Sequence, residues 1–342
     1  VAAAVAGVGG RVLQRTRFDA SASRAAVRLP APSSPAAALP VGADLGKGGA
    51  AFVTSDRDFY RVDTALTVPQ VATDSYTLRI HGMVERELRL TYHDLLARPL
   101  IERYLTMACV SNPVGGPYVG TARFLGIRLA DLLREAGVKP AADQIVGTSV
   151  DGMTIGTPTA VIMDGRDAML AVGMNGQPLP LAHGFPVRMV VPGLYGYVSA
   201  TKWLVELFAT TFATFDGFWV QRGWAQQGVV RLESRIDTPR GFARLRRGDT
   251  VPIAGVAWQQ HVGIRGVQVR IDGGAWQDAR LGQVPSADTW VQWVYPWSVR
   301  GNGPVTLEVR AIDAKGEVQT GQNRDPFPSG ATGYHSVVVQ VG

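Results

Sequence analysis

Apolar and polar positions change their period along the chain, and each change predicts a different element. SYTLRIHG, which ends at Gly82, alternates and predicts a strand closed by a glycine turn. In TYHDLLAR, Thr91 stands where a helix cap belongs. GIRLADLLREAGV places Ile127, Leu129, Leu132 and Leu133 on one face of a helix that Gly137 ends. DQIVGTSVDG, TAVIMDG and FPVRMVVPG then predict short strands separated by Gly, Asp and Pro. The mixture predicts an α+β fold, with a mixed α/β domain over residues 56–235. No G-x-G-x-x-G or G-x-x-x-x-G-K-[ST] loop follows a strand here, so a dinucleotide or ATP site has little support.

From residue 236 the helical period disappears. TVPIAGVAW, IRGVQVRIDGG, TWVQWVYPW, PVTLEVRAID and YHSVVVQV are short β runs, broken by turns at Asp272-Gly273-Gly274 and Ala314-Lys315-Gly316. Residues 236–342 therefore predict an all-β sandwich. Such a module serves packing, dimerisation or ligand binding equally well. Residues 1–55 differ from both, being rich in Ala, Pro, Gly and Ser. They predict an arm that is either an inert linker or a basic segment beside a membrane, with RLPAPSSPAAALP suited to lie extended along a folded surface. The opening VAAAVAGVGG reads as the end of an apolar segment, although its ten residues are too few to span a bilayer.

The length of 342 residues agrees with about two domains. The net charge of +6 resolves into +4 for the arm, zero for residues 56–235 and +2 for the sandwich. The arm owes its charge to Arg11, Arg15, Arg17, Arg24, Arg28 and Lys47, set against Asp19 and Asp44. The middle region has no long stripe of alternating basic and aromatic residues, which argues against a nucleic-acid partner. With one cysteine, the chain cannot form an internal disulfide, a four-cysteine zinc site or a cysteine-ligated iron–sulfur cluster.

That cysteine, Cys109, lies in LTMACVSNPVGGP, an apolar run that stops at Ser111-Asn112-Pro113 and the flexible Gly115-Gly116. Its residue type fits a small buried hydrophobe, a thiolate holding a soft metal at the end of a strand, or a nucleophile with His183 as its base. The second dense stretch is MNGQPLPLAHGFPVRMVVPGLYGY, residues 174–197. Arg188 sits there in a strand-like apolar run, where a charge is costly unless it meets solvent, a carboxylate or an anionic ligand. Lys202 and the Thr201 hydroxyl complete a candidate set of phosphate donors.

Together these stretches resemble the sulfite oxidase family, the molybdenum cofactor-binding oxidoreductases. The resemblance begins near FYRVDTAL and runs through YTLRIHG, TMACVSNPVGG, VDG and MNGQPLPLAHGFPVRMVVPG to KWL and FWVQRGW. GVAW, VQVRIDGGAW and WVQW resemble the family's immunoglobulin-like domain, which commonly mediates dimerisation, so coverage extends over residues 56–342. The resemblance implies that Cys109 supplies the protein thiolate to molybdenum, the other equatorial sulfurs coming from the pterin dithiolene. It also implies pterin or phosphate anchoring by Asn112, His183, Arg188 and Lys202, with hydroxyls from Ser111 and Thr201 and an N–H-accepting carboxylate at Asp151. Arg61 corresponds to an arginine close to the metal. Asp63 or Thr64 stands where the family's more usual pattern has a cofactor-contacting histidine.

Two departures bear on the substrate. Where the animal and plant enzymes have a tyrosine after a tryptophan-containing loop, this chain has Trp224, and Gln259-Gln260-His261-Val262-Gly263 replaces a glycine-rich step ending in arginine. The paired-arginine pocket for sulfite is incomplete unless Arg222 or Arg265 compensates. The resemblance implies two-electron oxygen-atom transfer on a small oxyanion or oxide, with sulfite oxidation and reduction of an S-oxide or N-oxide both compatible. It further implies a separate cytochrome or quinone-linked electron partner, since no C-x-x-C-H haem motif is present, and a homodimer. The expected location is the outer face of a bacterial cytoplasmic membrane or the periplasm, with the cytoplasm as the alternative. A cofactor-free scaffold or adhesion protein is the non-enzyme alternative.

Overall fold

The computed structural model describes residues 19–46 and 48–342; the apolar opening and Arg11, Arg15, Arg17 and Lys47 lie outside the described residues. Helix α1 (Ala20–Ala26) precedes β1 (Thr77–Gly82), β2 (Leu88–Thr91), α2 (Tyr92–Leu96), β3 (Leu100–Ala108), β4 (Val119–Arg128) and α3 (Leu129–Ala136). Next come β5 (Gln144–Ser149), β6 (Thr154–Pro158), α4 (Thr159–Met163), β7 (Met169–Met174), β8 (Gln177–Pro178), β9 (Arg188–Val190) and β10 (Leu204–Thr210). The remainder is β11 (Glu233–Thr238), β12 (Arg244–Leu245), β13 (Thr250–Trp258), β14 (Ile264–Ile271), β15 (Gln277–Asp278), β16 (Arg280–Leu281), β17 (Val291–Ser298), β18 (Gly303–Asp313) and β19 (His335–Val341). The described chain is thus mostly β with a few short helices, less helical than the mixed α/β expectation for its first part.

Local sequence explains most of these elements. Thr91 and Asp94 close a capping box on α2, and Gly137 ends α3 in the left-handed conformation with a φ of 67°. Ile127, grouped with the helix on spacing, instead ends β4, where it pairs with Leu100 and Leu170. TAVIMDG is a helix and not a strand. β6 forms the sheet edge beside β5, and the chain leaves it without adding a further strand. It turns into α4 and buries Ile162 instead.

Two sheets build the first part, one in the order β2-β1-β10-β5-β6 and one in the order β3-β4-β7-β8 with β9 also on β7. Alternate residues of β7 serve two cores: Leu170 and Val172 join Leu78, Ile145, Leu132 and Leu207, whereas Met169 and Ala171 join Phe124, Leu105, Phe185 and Ala20 of α1. The second sheet is therefore covered on both faces, and the arm supplies part of that cover. Arg24 donates to the Pro178 and Leu179 carbonyls, and Ser34 bridges in parallel to Ile101.

From Glu233 onward, three residues before the predicted boundary, sheets in the orders β11-β13-β17-β16 and β12-β19-β18-β14-β15 enclose a core of Ile253, Trp293, Val267, Leu307 and Val309. This is the sandwich predicted from the alternating runs. The arm reaches it too: Trp290 Nε1 donates to the Phe52 carbonyl at 2.9 Å, and Gln292 Nε2 donates to the Ala50 carbonyl at 2.6 Å. Residues 19–55 thus include a strap bonded to both parts rather than an inert linker. Among the described residues, no helix is long and apolar enough to cross a membrane. Replacing Trp290 with Phe strands the buried Phe52 carbonyl and is expected to lower stability by about 1–3 kcal/mol in denaturant titration.

Candidate active site

A cleft opens where β3 and β5 end and where β6, β9 and β10 begin. Cys109 immediately follows β3, Ser149 is the last residue of β5, Arg188 is the first of β9, and Thr201, Lys202 and Trp203 lead into β10. Strand ends can present side chains without breaking the ladders behind them. His183 enters from a 3-10 turn, Leu181–His183, that Gly184 closes at a φ of 106°. A Cβ at Gly184 would lie 3.0 Å from Arg188 Cβ and 3.1 Å from Lys202 Cα, so the turn passes the two cations closely.

Arg188 is 4% exposed and has no carboxylate partner. Its Nη1 donates to the His183 carbonyl at 3.2 Å, its Nε is unsatisfied, and the guanidinium lies 5.9 Å from the Phe124 ring centre. Burial lowers its pKa to about 10. The buried hydroxyls of Thr201 and Ser149 are also unsatisfied, which gives the cleft three unpaired polar groups in its wall. Uncompensated burial on this scale is tolerated where a ligand supplies the missing partners.

Lys202 is differently placed. Its Nζ donates to Asp63 Oδ2 at 2.6 Å and to the Val62 carbonyl at 3.1 Å, while Arg61 Nε donates to the same Asp63 oxygen at 2.8 Å. Burial works against ionised Asp63, but hydrogen bonds from Arg61 and Lys202 outweigh it and keep its pKa below the usual value. Burial lowers Lys202 to about 8, with Asp63 opposing and Arg188 reinforcing the shift. Trp203 holds a positive φ of 50°, a strained state for a bulky residue, and its Nε1 donates to the Leu181 carbonyl at 2.8 Å. The strain is spent where the chain turns Lys202 toward the cleft.

Cys109 is half-buried, with Ser111 Oγ at 2.9 Å from its Sγ. Among the described residues, no group of three or more His, Cys, Asp or Glu converges as a metal site. His183 Nε2 lies 3.0 Å from the Asp56 carbonyl and donates to it. Its distance from Cys109 is not bridged by any hydrogen bond, and the nucleophile-base pairing has no geometric support here.

Of the residues singled out from sequence, Asp63, Cys109, Ser111, Asp151, His183, Arg188, Thr201 and Lys202 line this cleft. Arg61, Thr64 and Asn112 do not: Arg61 is pinned on Asp63 with a 40% exposed side chain, Thr64 Oγ1 bonds Met153 Sδ at 3.3 Å, and Asn112 is buried behind the thiol loop. Arg222 stacks 3.5 Å over Phe218, and Arg265 lies against Gly316 in the sandwich, so neither adds a cation to the wall. Sequence reasoning missed Tyr60, Ser149, Met153, Tyr197 and Trp219, all of which line the cleft. Tyr60 was adjacent to Arg61 in FYRVDTAL, a signal that an aromatic residue shared the same loop. Its ring stacks on Phe59, and burial followed by the nearby Cys109 raises its pKa above the ordinary phenol value.

Burial, reinforced by Arg188, lowers the His183 pKa to about 4. The folded chain consequently binds fewer protons than the unfolded chain between this value and the ordinary 6.5. His183 therefore contributes stability above pH 6.5 that is lost as pH falls toward 4. His183→Gln is expected to flatten the rise in melting temperature across that window, read by circular dichroism.

Residues 65–219 match the family model described as an oxidoreductase molybdopterin binding domain. The chain is 31% identical to mitochondrial sulfite oxidase of Rattus norvegicus over 63% of its own length and 47% of that protein, and 30% identical to sulfite oxidase of Gallus gallus over 78% and 68%. It is 31% identical to the uncharacterized oxidoreductase YuiH of Bacillus subtilis over 45% and 74%. The chain thus spans about half the length of the rat relative. Among solved structures, the sulfane dehydrogenase SoxCD of Paracoccus pantotrophus shares the fold with a TM-score of 0.72 at 24% identity, over 86% of this chain and 84% of that one. The matched domain carries most of the cleft, and by these relationships the chain belongs to the sulfite oxidase family of molybdopterin-binding oxidoreductases.

Proposed function

We propose that this chain is a molybdenum-dependent oxidoreductase that transfers an oxygen atom with two electrons to or from a small oxyanion or oxide. The observation that carries the reading is the buried, carboxylate-free Arg188 beside the unsatisfied Ser149 and Thr201 hydroxyls in the cleft that also holds the single thiol. This wall suits an anionic, hydrogen-bonding cofactor. Molybdopterin, when bound, supplies the two-electron oxygen-transfer chemistry at its metal.

The residues divide the work by their chemistry. Cys109 offers the soft sulfur ligand, Arg188 and Lys202 face the anionic part, Ser149 and Thr201 give hydroxyl donors, and Asp151 accepts N–H groups. His183 stays neutral near pH 7 and is oriented by the Asp56 carbonyl. Met153, Tyr197, Trp219 and Trp224 give the cleft an apolar wall that limits water. The Tyr197 hydroxyl is already committed to the Ala225 carbonyl at 2.5 Å, whereas that of Tyr60 has no hydrogen-bond partner among the described residues and is free for a substrate oxygen.

Sulfite is the reading supported by the names of the sulfite oxidase relatives. Reduction of an S-oxide or N-oxide is favoured by a specific observation: the cleft wall has no guanidinium beyond Arg188, and Lys202 is already paired with Asp63. We assign electron exchange to a separate cytochrome or quinone-linked partner. We also divide the chain into the arm, a cofactor domain over 56–235 and an immunoglobulin-like domain over 236–342. In support, its sheet orders β11-β13-β17-β16 and β19-β18-β14 follow the A-B-E-D and G-F-C orders of that fold.

Expression in a cofactor-producing host is expected to yield molybdenum and a fluorescent pterin in near-equal amounts, and the absence of both would overturn the assignment. Cys109→Ala should abolish turnover in parallel assays of sulfite oxidation and S-oxide reduction while the far-ultraviolet circular dichroism is kept; full activity would reject the ligand role. Arg188→Met is expected to lose the cofactor yet leave the cofactor-free protein as stable as the parent or more so, because it removes a buried charge without a partner. A fall in the stability of the cofactor-free protein would count against the anion-site assignment.

A further inference from the structure

Charge on the sandwich is gathered at one end. Arg240, Arg244, Arg246 and Arg247 lie in one eight-residue stretch, and residues 240–249 set Asp249 alone against them. Gly248 N–H donates to the Val299 carbonyl at 3.0 Å and Val299 N–H to the Asp249 carbonyl at 2.8 Å, which brings Arg300 to the same end. All five arginines are exposed, and among the described residues none forms a salt bridge or a side-chain hydrogen bond. Nearby carboxylates are engaged elsewhere, Asp237 by Arg235 and Glu308 by Arg270.

An aromatic side chain stands out among these cations. Phe242 is 80% exposed and holds a φ of 62°, a left-handed state that is costly for a bulky residue. It is fixed there by the neighbouring strand. Phe242 N–H donates to the Val338 carbonyl at 2.6 Å, Gln340 N–H donates to the Ala243 carbonyl at 2.9 Å, and β12 then pairs in parallel with β19. Leu245 packs against the sandwich core while Arg244 faces solvent. A Cβ at Gly241, Gly248 or Gly301 would meet nothing within 4 Å, so the backbone around Phe242 is open and builds no pocket for it. Arg240 also shares a groove with Gly48 and Gly49, so the arm passes the same end.

We propose that this end of the sandwich docks on an anionic bilayer surface, with the arginines among the lipid phosphates and Phe242 at the boundary between headgroups and acyl chains. Unpaired guanidinium groups complement a surface of phosphates, and an exposed aromatic ring gains from leaving water there. The open shape matters as much as the charge. A small anion needs a concave site, which this end lacks, and a second copy related by a two-fold axis would set the same arginines against one another. A bilayer is wide, negative and deformable, and it receives a rigid protruding ring without a matching pocket. The proposal is independent of the reaction assigned to the cleft.

The test is co-sedimentation of the full chain with vesicles of equal parts phosphatidylglycerol and phosphatidylcholine, or of phosphatidylcholine alone. Binding to the anionic vesicles should be at least about tenfold tighter than to the neutral ones, and should weaken steeply as salt is raised. Replacing Arg244, Arg246 and Arg247 together with Gln should weaken it about a hundredfold, at about fivefold for each arginine. Phe242→Gly should weaken it about fivefold while melting no lower than the parent, because glycine relieves the left-handed backbone. Equal binding to both vesicle types would overturn the proposal. Parent-like binding by the triple variant would place the attraction in the arm, and parent-like binding by Phe242→Gly would leave the ring without a role; either result overturns it. A clear fall in the melting temperature of Phe242→Gly would make Phe242 a packing residue and also count against it. Tighter binding to polyglutamate or to a duplex oligonucleotide than to the anionic vesicles would assign the face to another partner and overturn the membrane assignment.

Discussion

A guanidinium buried without a carboxylate is the constraint around which this site is arranged. Arg188 gains one backbone carbonyl and a distant aromatic ring, which is far less than water would give it. Its neighbours are adjusted to that unpaired charge. His183 is held neutral, partly by the nearby cation, and Lys202 is drawn off to Asp63. The turn at Gly184 has no side chain that would separate the two cations, and Trp203 accepts a strained backbone to turn Lys202 inward. Each of these features is costly or unremarkable alone. Together they keep a positive, hydrogen-bonding wall available to an anion.

Such a wall needs a rigid frame, and the frame is assembled from parts distant in sequence. The sheet holding β3 and β9 is covered on one face by the main core and on the other by a smaller core that α1 of the arm helps to close. The same arm then runs to the sandwich, where Trp290 and Gln292 bind its backbone. The sandwich returns the contact at the thiol loop through Arg235 and His335. Strap, sheets and sandwich thus close a ring of contacts around the segment that carries Cys109.

The sandwich was legible in the sequence because its strands alternate over one buried face and are broken by Asp-Gly-Gly and Lys-Gly turns. The helix at α3 was legible because its leucines keep a helical spacing up to Gly137. TAVIMDG misled because Val161 and Ile162 favour strands, whereas the chain leaving the edge strand β6 forms a helix that buries Ile162. MLAVGM, β7, gave no alternation to read, being buried on both faces. In the site, Cys109, Arg188 and Lys202 stood out as residue types in unusual surroundings. Arg61 was grouped with them by motif alone, and only the structure shows that it serves Asp63 from outside the cleft. Tyr60 was signalled only by its place beside Arg61, and Ser149, of common type, is brought to the cleft by the fold alone.

The distribution of polarity within the cleft then separates two kinds of recognition. Arg188 is buried and the side chains of Lys202 and Asp63 are 10% and 6% exposed, whereas Trp219 and Trp224 are half-buried. Coulomb attraction is strongest where water is excluded, so an anion is recognised best at the buried Arg188. The half-buried tryptophans offer shape, aromatic surface and water exclusion instead. A ligand that is anionic at one end and carries its reactive atom at the other matches that order, with its charge among the buried donors and its reactive end toward Cys109. On the proposed oxygen-transfer reading, the small molecule that meets it needs only to place an oxygen, or the lone pair that receives one, beside the thiol loop. There Tyr60 offers a neutral hydrogen bond rather than a charge, and this is why the wall can be rich in unpaired donors while its paired-arginine pocket remains incomplete.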